Sequence, residues 1–307
     1  MWSIAIAALA DLIFKDPPNR IHSTAWMGTL IGRLWGHKSP TSRCVAFIKG
    51  TLITLGVTLL FAGLAFFITN YLLVLIPLSL VRCLFEGLLL SLTFSFSKLI
   101  QEGKTICTQL NTGNPAAARK SLSYNLVSRD TTNLNEGDII AAALESLAEN
   151  LTDSLTAPLF FFLLFGLPGA FAYRVVNTCD ALLGYHDTAR EWLGKFPARL
   201  DDILNLIPAR MTALIILTAG LFVSGKNHGL SVMFSDRSKT ESPNAGWTMS
   251  ALAGVLNVSF RKQGYYILNK TGPEPDMHAM EKGIQICRLA GIIILILFQG
   301  LDYGLLQ

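Results

Sequence analysis

Residues 49–82 read KGTLITLGVTLLFAGLAFFITNYLLVLIPLSLVR, with no charged side chain between Lys49 and Arg82. About 20 residues cross the hydrocarbon core of a bilayer, so this stretch is too long for one span. The reading is two antiparallel helices, Thr51–Thr69 and Tyr71–Thr93, turning near Asn70. A second apolar run, Gly291–Leu301, is extended by Leu289 and Ala290 and reads as a C-terminal membrane helix over 288–305. Met211–Val223 is apolar but short. Across all 307 residues 51% are hydrophobic and 15% charged, where soluble domains carry about 25% charged residues. No strand-period alternation marks a barrel, so lipid-exposed chain has to be helical. The fold class is all-α: a multi-pass integral membrane protein with about four to six membrane helices. It reads as a single membrane-embedded domain over 1–307, with an apolar hairpin at 50–95 and a polar core at 125–250. Met1–Phe14 is mostly apolar, lacks a basic leading region and is interrupted by Asp11. It reads as a membrane or core helix and not as a cleaved signal peptide.

The net charge is +4, yet no basic run is interleaved with aromatic residues, which argues against nucleic acid as a partner. The five cysteines, Cys44, Cys83, Cys107, Cys179 and Cys287, show no Cys-x-x-Cys spacing, so zinc and a disulfide framework are both disfavoured. Lys and Arg number six in residues 15–49, five in 98–154 and eight in 226–288. That is too even for the positive-inside rule to set the topology. Lys98–Ser121 has helical spacing that breaks at Asn111-Thr112-Gly113-Asn114-Pro115. Leu155–Tyr173 is apolar but holds Pro158, Gly166, Pro168 and Gly169. It suits two short helical pieces, re-entrant or buried, better than a straight span. Walker, dinucleotide-binding, nucleophile-elbow and zincin motifs are all absent.

What remains is acidic and amide side chains with scattered arginines. Ala141–Asp153 reads as helix, which places Glu145, Glu149 and Asp153 at i, i+4 and i+8 on one face, beside Asn150. A divalent cation such as Mg²⁺, which takes a few carboxylates plus waters and phosphate oxygens, offsets the repulsion of such a stripe. A solvated face paired with Arg does so equally well. Arg174, Asn177 and Asp180 form a second stripe at i+3 steps, either a phosphate and cation site or an internal ion pair. Arg199, Asp201, Asp202, Asn205 and Arg210 form a third block, in which Arg210 alone reads equally as a snorkelling anchor. Ser242-Pro243-Asn244-Ala245-Gly246-Trp247 is a tight turn that offers an amide and a flat indole to a ligand, or simply enters a helix. His22, near the start, is another candidate; a lone His is commonly structural.

These blocks, in this order, resemble the adenosylcobinamide-phosphate synthase family of cobalamin biosynthesis. The similar segments are Asp11 with Asp16-Pro17 and His22, Val127–Thr131, Glu145–Asp153, Ala157-Pro158-Leu159, Tyr173–Asp180, Arg199–Arg210 and Ser242–Trp247. Members are integral membrane proteins. The resemblance implies ATP-dependent amide formation joining adenosylcobyric acid to an aminopropanol, usually as its phosphate, with Mg²⁺ as cofactor and ATP as co-substrate. It further implies Glu145, Glu149 and Asp153 at the metal, and Glu145, Glu149, Asp180 and Arg129 in catalysis. Asn150, Arg174, Asn177, Arg199, Asp202, Asn205, Arg210, Ser242, Asn244, Trp247 and His22 fall to the substrates. The chain departs from the family's pattern at Lys15, Ser23, Thr240 and residues 260–264.

The expected partners are a corrinoid, an amino-alcohol phosphate and membrane lipid, in the cell membrane with the site facing the cytoplasm. Two competing readings stay open: a non-catalytic membrane sensor of the same superfamily, and a small-molecule transporter. Arg82 and Glu86, at i and i+4, raise the second; they are expected to neutralise each other.

Overall fold

The computed structural model describes residues 2–15, 22–36, 42–184, 191–225 and 228–305. Asp16, Pro17, Tyr185 and His186 lie outside them. In chain order the helices are α1 (Ser3–Phe14), α2 (Ser23–Trp35), α3 (Arg43–Phe67), α4 (Ser79–Ser91), α5 (Phe96–Asn111), α6 (Pro115–Asn125) and α7 (Glu136–Leu151). They continue as α8 (Ala157–Leu183), α9 (Glu191–Leu204), α10 (Leu206–Ser224), α11 (Gly229–Asp236), α12 (Ala245–Leu256) and α13 (Met277–Leu305). Among the described residues a short antiparallel hairpin, β1 (Phe260–Lys262) with β2 (Tyr266–Leu268), accompanies the all-α architecture. Among the described residues four helical stretches are long and apolar enough to cross a membrane: Arg43–Leu75, Glu136–Leu183, Leu206–Ser224 and Met277–Gly304. A fifth arises if the bent pair Ser79–Ser91 and Phe96–Asn111 is one span.

The residues form two compact units. The first comprises residues 1–95, 157–205 and 297–307. Its spine is α3, packed on α8 and α9. The expected turn at Asn70 is not there. Ile68–Leu72 continues the helix as a π turn, followed by a 3₁₀ turn at Leu73–Leu75. Asn70 turns its own amide back onto the Phe66 carbonyl at 3.0 Å, and this local bond removes its need to break the helix. The break falls instead at Ile76–Leu78, around Pro77, which has no N–H to continue the ladder. α4 then packs mainly on α1 and does not run back along α3 as a hairpin. Arg82 and Glu86 do not neutralise each other. Arg82 donates to the orphan carbonyls of Val74 (3.3 Å) and Ile76 (3.1 Å), and Glu86 accepts from Ser3 Oγ at 2.6 Å.

α8 contains the break expected from its glycines and prolines. Gly166 sits at φ 64°, ψ −158°, a conformation essentially confined to glycine. The Phe161 and Tyr173 rings, twelve residues apart, stack with centroids 5.4 Å apart. A straight helix would separate them by roughly 18 Å along its axis. The chain therefore doubles back at Gly166, and 157–183 is two helical pieces folded on one another.

The second unit comprises residues 96–156 and 206–296. Its centre is α7, where every residue from Ile139 to Ala148 is buried. A helix buried all round is a core helix, and here α5, α6, α12 and β1 surround it. The break at 111–115 stands as expected: Pro115 opens α6, and the Asn114 side chain caps it by accepting from Ala117 N at 3.0 Å. α10 runs the full 19 residues that its apolar run left uncertain. α13 begins at Met277, earlier than the expected 288.

Candidate functional site

The second unit holds a cleft of about 270 Å³ lined by Ser128, Arg129, Glu145, Glu149, Lys262 and Tyr266, with Met249 at its wall. Its chemistry begins on α7. Glu145 is 5% exposed, in the middle of an otherwise apolar run. A carboxylate so placed demands a charged or hydrogen-bonding partner. Arg129 supplies one: its Nη2 donates to Glu145 Oε2 at 3.3 Å. One atom on each side is left over. Glu145 Oε1 and Arg129 Nε are buried and have no hydrogen-bond partner. Buried polar atoms are usually satisfied, so such atoms call for a water, an ion or a catalytic role.

Side-chain bonds hold the loop carrying Arg129. Arg119 Nε donates to the Leu134 carbonyl at 2.8 Å, and Thr131 Oγ1 donates to the Arg119 carbonyl at 3.0 Å. Ser146 Oγ donates to the Leu126 carbonyl at 2.7 Å and so ties the loop to α7. Asp130 faces away from this chemistry. It accepts from Thr132 N and Thr132 Oγ1 within its own turn.

The other side of the cleft comes from the β-hairpin. Three-residue strands are too short for alternation to be read from sequence, and so Lys262 and Tyr266 were not candidates. The legible signal was Gly264, at φ 78° in a three-residue hairpin loop. Burial pushes the Tyr266 phenol up from its ordinary pKa, and the Glu145 and Glu149 carboxylates push it the same way. It therefore stays protonated and able to donate. Lys262 lies 4.4 Å over the Tyr265 ring and 6.0 Å from the Tyr266 centroid.

Asp236 anchors the hairpin. Its Oδ2 accepts from Asn269 N at 2.7 Å, and its Oδ1 accepts from Lys239 Nζ at 2.6 Å and Ser235 Oγ at 2.8 Å. Burial raises its pKa, but these hydrogen bonds outweigh burial and hold the carboxyl below the usual 3.8. A depressed carboxylate stabilises the fold above its unfolded value and loses that contribution as pH falls through its folded value. Asp236→Asn is therefore expected to flatten the acid limb of stability below about pH 4. It should also speed hydrogen exchange at the Asn269 amide. Unchanged exchange there would show that the anchor is not Asp236.

The expected stripe of three carboxylates ends early. At Thr152–Thr156 the helix changes to a π turn, so the regular i, i+4, i+8 face stops at Glu149. Asp153 does not line the cleft with Glu145 and Glu149. Among the described residues no group of three His, Cys, Asp or Glu side chains is arranged to hold a metal ion. Asn150 does not face the cleft either; its Nδ2 donates to the Ser146 carbonyl and Oγ, both at 2.9 Å. Glu145 and Glu149 remain. Two carboxylates one turn apart, one with an unpartnered buried oxygen, fit Mg²⁺ in the sparse manner usual for that ion, completed by water and phosphate oxygens.

The second predicted block lies in the first unit and forms a chain of buried and part-buried hydrogen bonds. Arg174 Nε donates to Thr24 Oγ1 at 3.3 Å, and Arg174 Nη1 donates to Asn177 Oδ1 at 3.4 Å. Asn177 Nδ2 reaches Asp201 Oδ1 at 3.3 Å, and Asn205 Nδ2 reaches Asp201 Oδ2 at 2.9 Å. Tyr173 Oη closes the series on Asn205 Oδ1 at 3.0 Å. The stripe on α8 thus meets Asp201 and Asn205 of the next block. Asp180 stands at the end of α8, where a Cβ on Gly184 would come within 2.1 Å of its Oδ1. Asp202 is half-buried and Arg199 is exposed. His22 is the N-cap of α2, its Nδ1 accepting from Thr24 N at 3.2 Å.

The third block is divided: Arg199, Asp201, Asp202 and Asn205 belong to the first unit, and Arg210 belongs to the second with the Ser242–Trp247 turn. Arg210 Nη1 donates to Asn244 Oδ1 at 2.5 Å, and its guanidinium lies 4.8 Å from the Trp247 ring centroid. Ser242 Oγ accepts from Asn244 N at 3.2 Å. Arg237, not a candidate from sequence, also lies over Trp247, at 5.0 Å.

The chain matches the CobD/Cbib protein family over residues 4–294. A probable cobalamin biosynthesis protein CobD of Methanothermobacter thermautotrophicus is 40% identical over 95% of this chain and 94% of its own length. The cobalamin biosynthesis protein CobD of Dehalococcoides mccartyi is 40% identical over 86% of this chain and 84% of its own. A further probable CobD, from Thermoplasma volcanium, is 35% identical over 97% and 96%. No solved structure matches the chain. With the family matched almost from end to end on a helical multi-pass membrane scaffold, this chain belongs to the CobD/Cbib family of cobalamin biosynthesis.

Proposed function

We propose that the protein is an adenosylcobinamide-phosphate synthase. It joins adenosylcobyric acid to aminopropanol, as its phosphate, in an ATP-dependent amide-forming reaction. The observation that carries the reading is the buried Glu145 carboxylate with an unpartnered oxygen, facing a cleft that also gathers Arg129, Glu149 and Lys262. Amide formation from a carboxylate requires that the acid be activated first, here as an acyl phosphate. Glu145 and Glu149 are the residues to hold Mg²⁺. When bound, that ion neutralises charge on the nucleotide's phosphates. Arg129 and Lys262 contribute fixed positive charge for the transferred phosphoryl group. The amine, its ammonium proton given up to solvent, attacks the acyl carbon, and inorganic phosphate leaves as the amide forms. The neutral Tyr266 phenol is placed to donate to a developing oxyanion.

A cleft of about 270 Å³ is too small for a corrin ring, since pockets for drug-sized ligands start near 300 Å³. It admits a propionate arm and a phosphoryl group and leaves the ring outside. Arg210, Ser242, Asn244 and Trp247, in the same unit as the cleft, are the proposed contacts for the remainder of the substrates. The protein is placed in the cell membrane with the cleft facing the cytoplasm, where ATP is available.

The test is purified protein supplied with ATP, Mg²⁺, adenosylcobyric acid and aminopropanol phosphate. Nucleotide release that depends on the corrinoid is expected, together with a corrinoid product that retains phosphate. Corrinoid uptake into vesicles without nucleotide turnover would make the protein a carrier instead.

A further inference from the structure

We infer that the N-terminal end of α12 is a binding site for a phosphate-type oxyanion, held by Arg210 and Arg237, which both lie over Trp247. Both guanidiniums lie over the same indole, at 4.8 and 5.0 Å from its ring centroid. Neither pairs with a carboxylate among the described residues. Arg210 donates to Asn244 Oδ1 and, at 3.4 Å, to the Pro243 carbonyl; Arg237 donates to the Phe234 carbonyl at 2.7 Å. The nearest acid in sequence, Asp236, directs its oxygens to Asn269 N, Lys239 and Ser235.

A second, independent feature points the same way. Trp247 is in the first turn of α12, and Asn244, at the N-cap position, makes no capping bond to that turn, its Oδ1 taken by Arg210 instead. The positive end of a twelve-residue helix therefore meets two uncompensated guanidiniums. Like charges brought to one place raise the local potential, and an anion offsets it. Cation–π contact with the indole offsets it only in part. The guanidinium fork matches phosphate oxygens bidentately, which makes phosphate the best-fitting anion.

This site is separate from the Glu145 cleft. Met249 lines that cleft, and two residues along an α-helix rotate by about 200°, so Trp247 faces the other side of α12. The inference rests on the proposed reading for the claim that Arg210, Asn244 and Trp247 meet a ligand. It adds Arg237 and the chemistry of that ligand. The phosphate comes from a soluble phosphate ester or from a lipid headgroup, since α10 starts at Leu206 as a candidate membrane span and Phe234 is exposed beside the site.

The experiment uses full-length protein and no turnover, so its failure is distinguishable from failure of the synthase reading. Inorganic phosphate is titrated calorimetrically into detergent-solubilised protein. In parallel, the thermal midpoint is compared in nanodiscs of phosphatidylcholine alone and with phosphatidylglycerol. Saturable phosphate binding, weakened at least tenfold by Arg210→Gln and Arg237→Gln but not by Lys270→Gln at an exposed position, is the expected result for a soluble ligand. Arg237→Lys, which keeps the charge but loses the fork, should fall between, and it serves if the glutamine variants fail to fold. A midpoint raised by phosphatidylglycerol in the wild type and not in Arg237→Gln assigns the same site to lipid headgroups. Phosphate binding and lipid response both unchanged in the arginine variants would overturn the inference.

Discussion

Glu145→Gln is expected to lower corrinoid-dependent turnover by at least about a hundredfold while leaving the protein folded. Loss of a positioned charge or proton acceptor in a site of this kind typically costs about 10²–10⁴ in rate. Glutamine keeps the shape of the side chain, and its carbonyl oxygen can still accept from Arg129. The stability cost should therefore be about 1–2 kcal/mol, that of weakening one charged hydrogen bond. Glu145→Ala is a different experiment. It strands a guanidinium whose side chain is only 24% exposed, and breaking a buried pair on one side costs roughly 3–5 kcal/mol, less here because that partner is partly solvated. Glu149→Ala, at the half-buried position one turn on, should also abolish amide formation without unfolding the protein. The comparison that matters is rate against thermal midpoint. Turnover unchanged in both Glu145→Gln and Glu149→Ala would remove the cleft from the chemistry.

Gly50→Ala should destabilise the first unit by about 3 kcal/mol or more, the top of the usual range for overpacking. A Cβ at Gly50 would stand 1.8 Å from the Leu193 carbonyl oxygen and 2.8 Å from its carbon. Those atoms belong to the backbone of α9 and cannot move aside by changing rotamer; one helix must shift from the other. Small residues at such crossings let membrane helices approach backbone to backbone. Displacing α9 would also pull Asp201 and Asn205 away from Asn177 and Tyr173. Gly56→Ala is the control on the same helix. Nothing lies within 4 Å of its added Cβ, so the better helix propensity of alanine should make it neutral or stabilising by up to about 1 kcal/mol. The measurement is the thermal midpoint of each variant in detergent. If Gly50→Ala melted no lower than Gly56→Ala, α3 and α9 would not be packed this closely.

Much of this protein was legible from local sequence because the rules that set it are local. Long uncharged runs demanded helices in lipid. Asn114-Pro115 and Gly166 with Pro168 marked real breaks, since a missing N–H or a left-handed backbone acts on its own turn whatever surrounds it. Spacing alone also put Arg174 and Asn177 on one face. Only the tertiary structure decided the rest. It moved the turn from Asn70 to Pro77, because an asparagine can satisfy its amide within the helix and a proline cannot. It ended the acidic stripe at Glu149 by a π turn that no residue spacing announces. It matched Glu145 to Arg129 across 16 residues, brought Lys262 and Tyr266 to the same cleft, and set Arg237 beside Arg210 on one indole. Charges of this kind find partners through packing of distant segments, and periodicity along one helix carries no record of what another helix or hairpin presents to it.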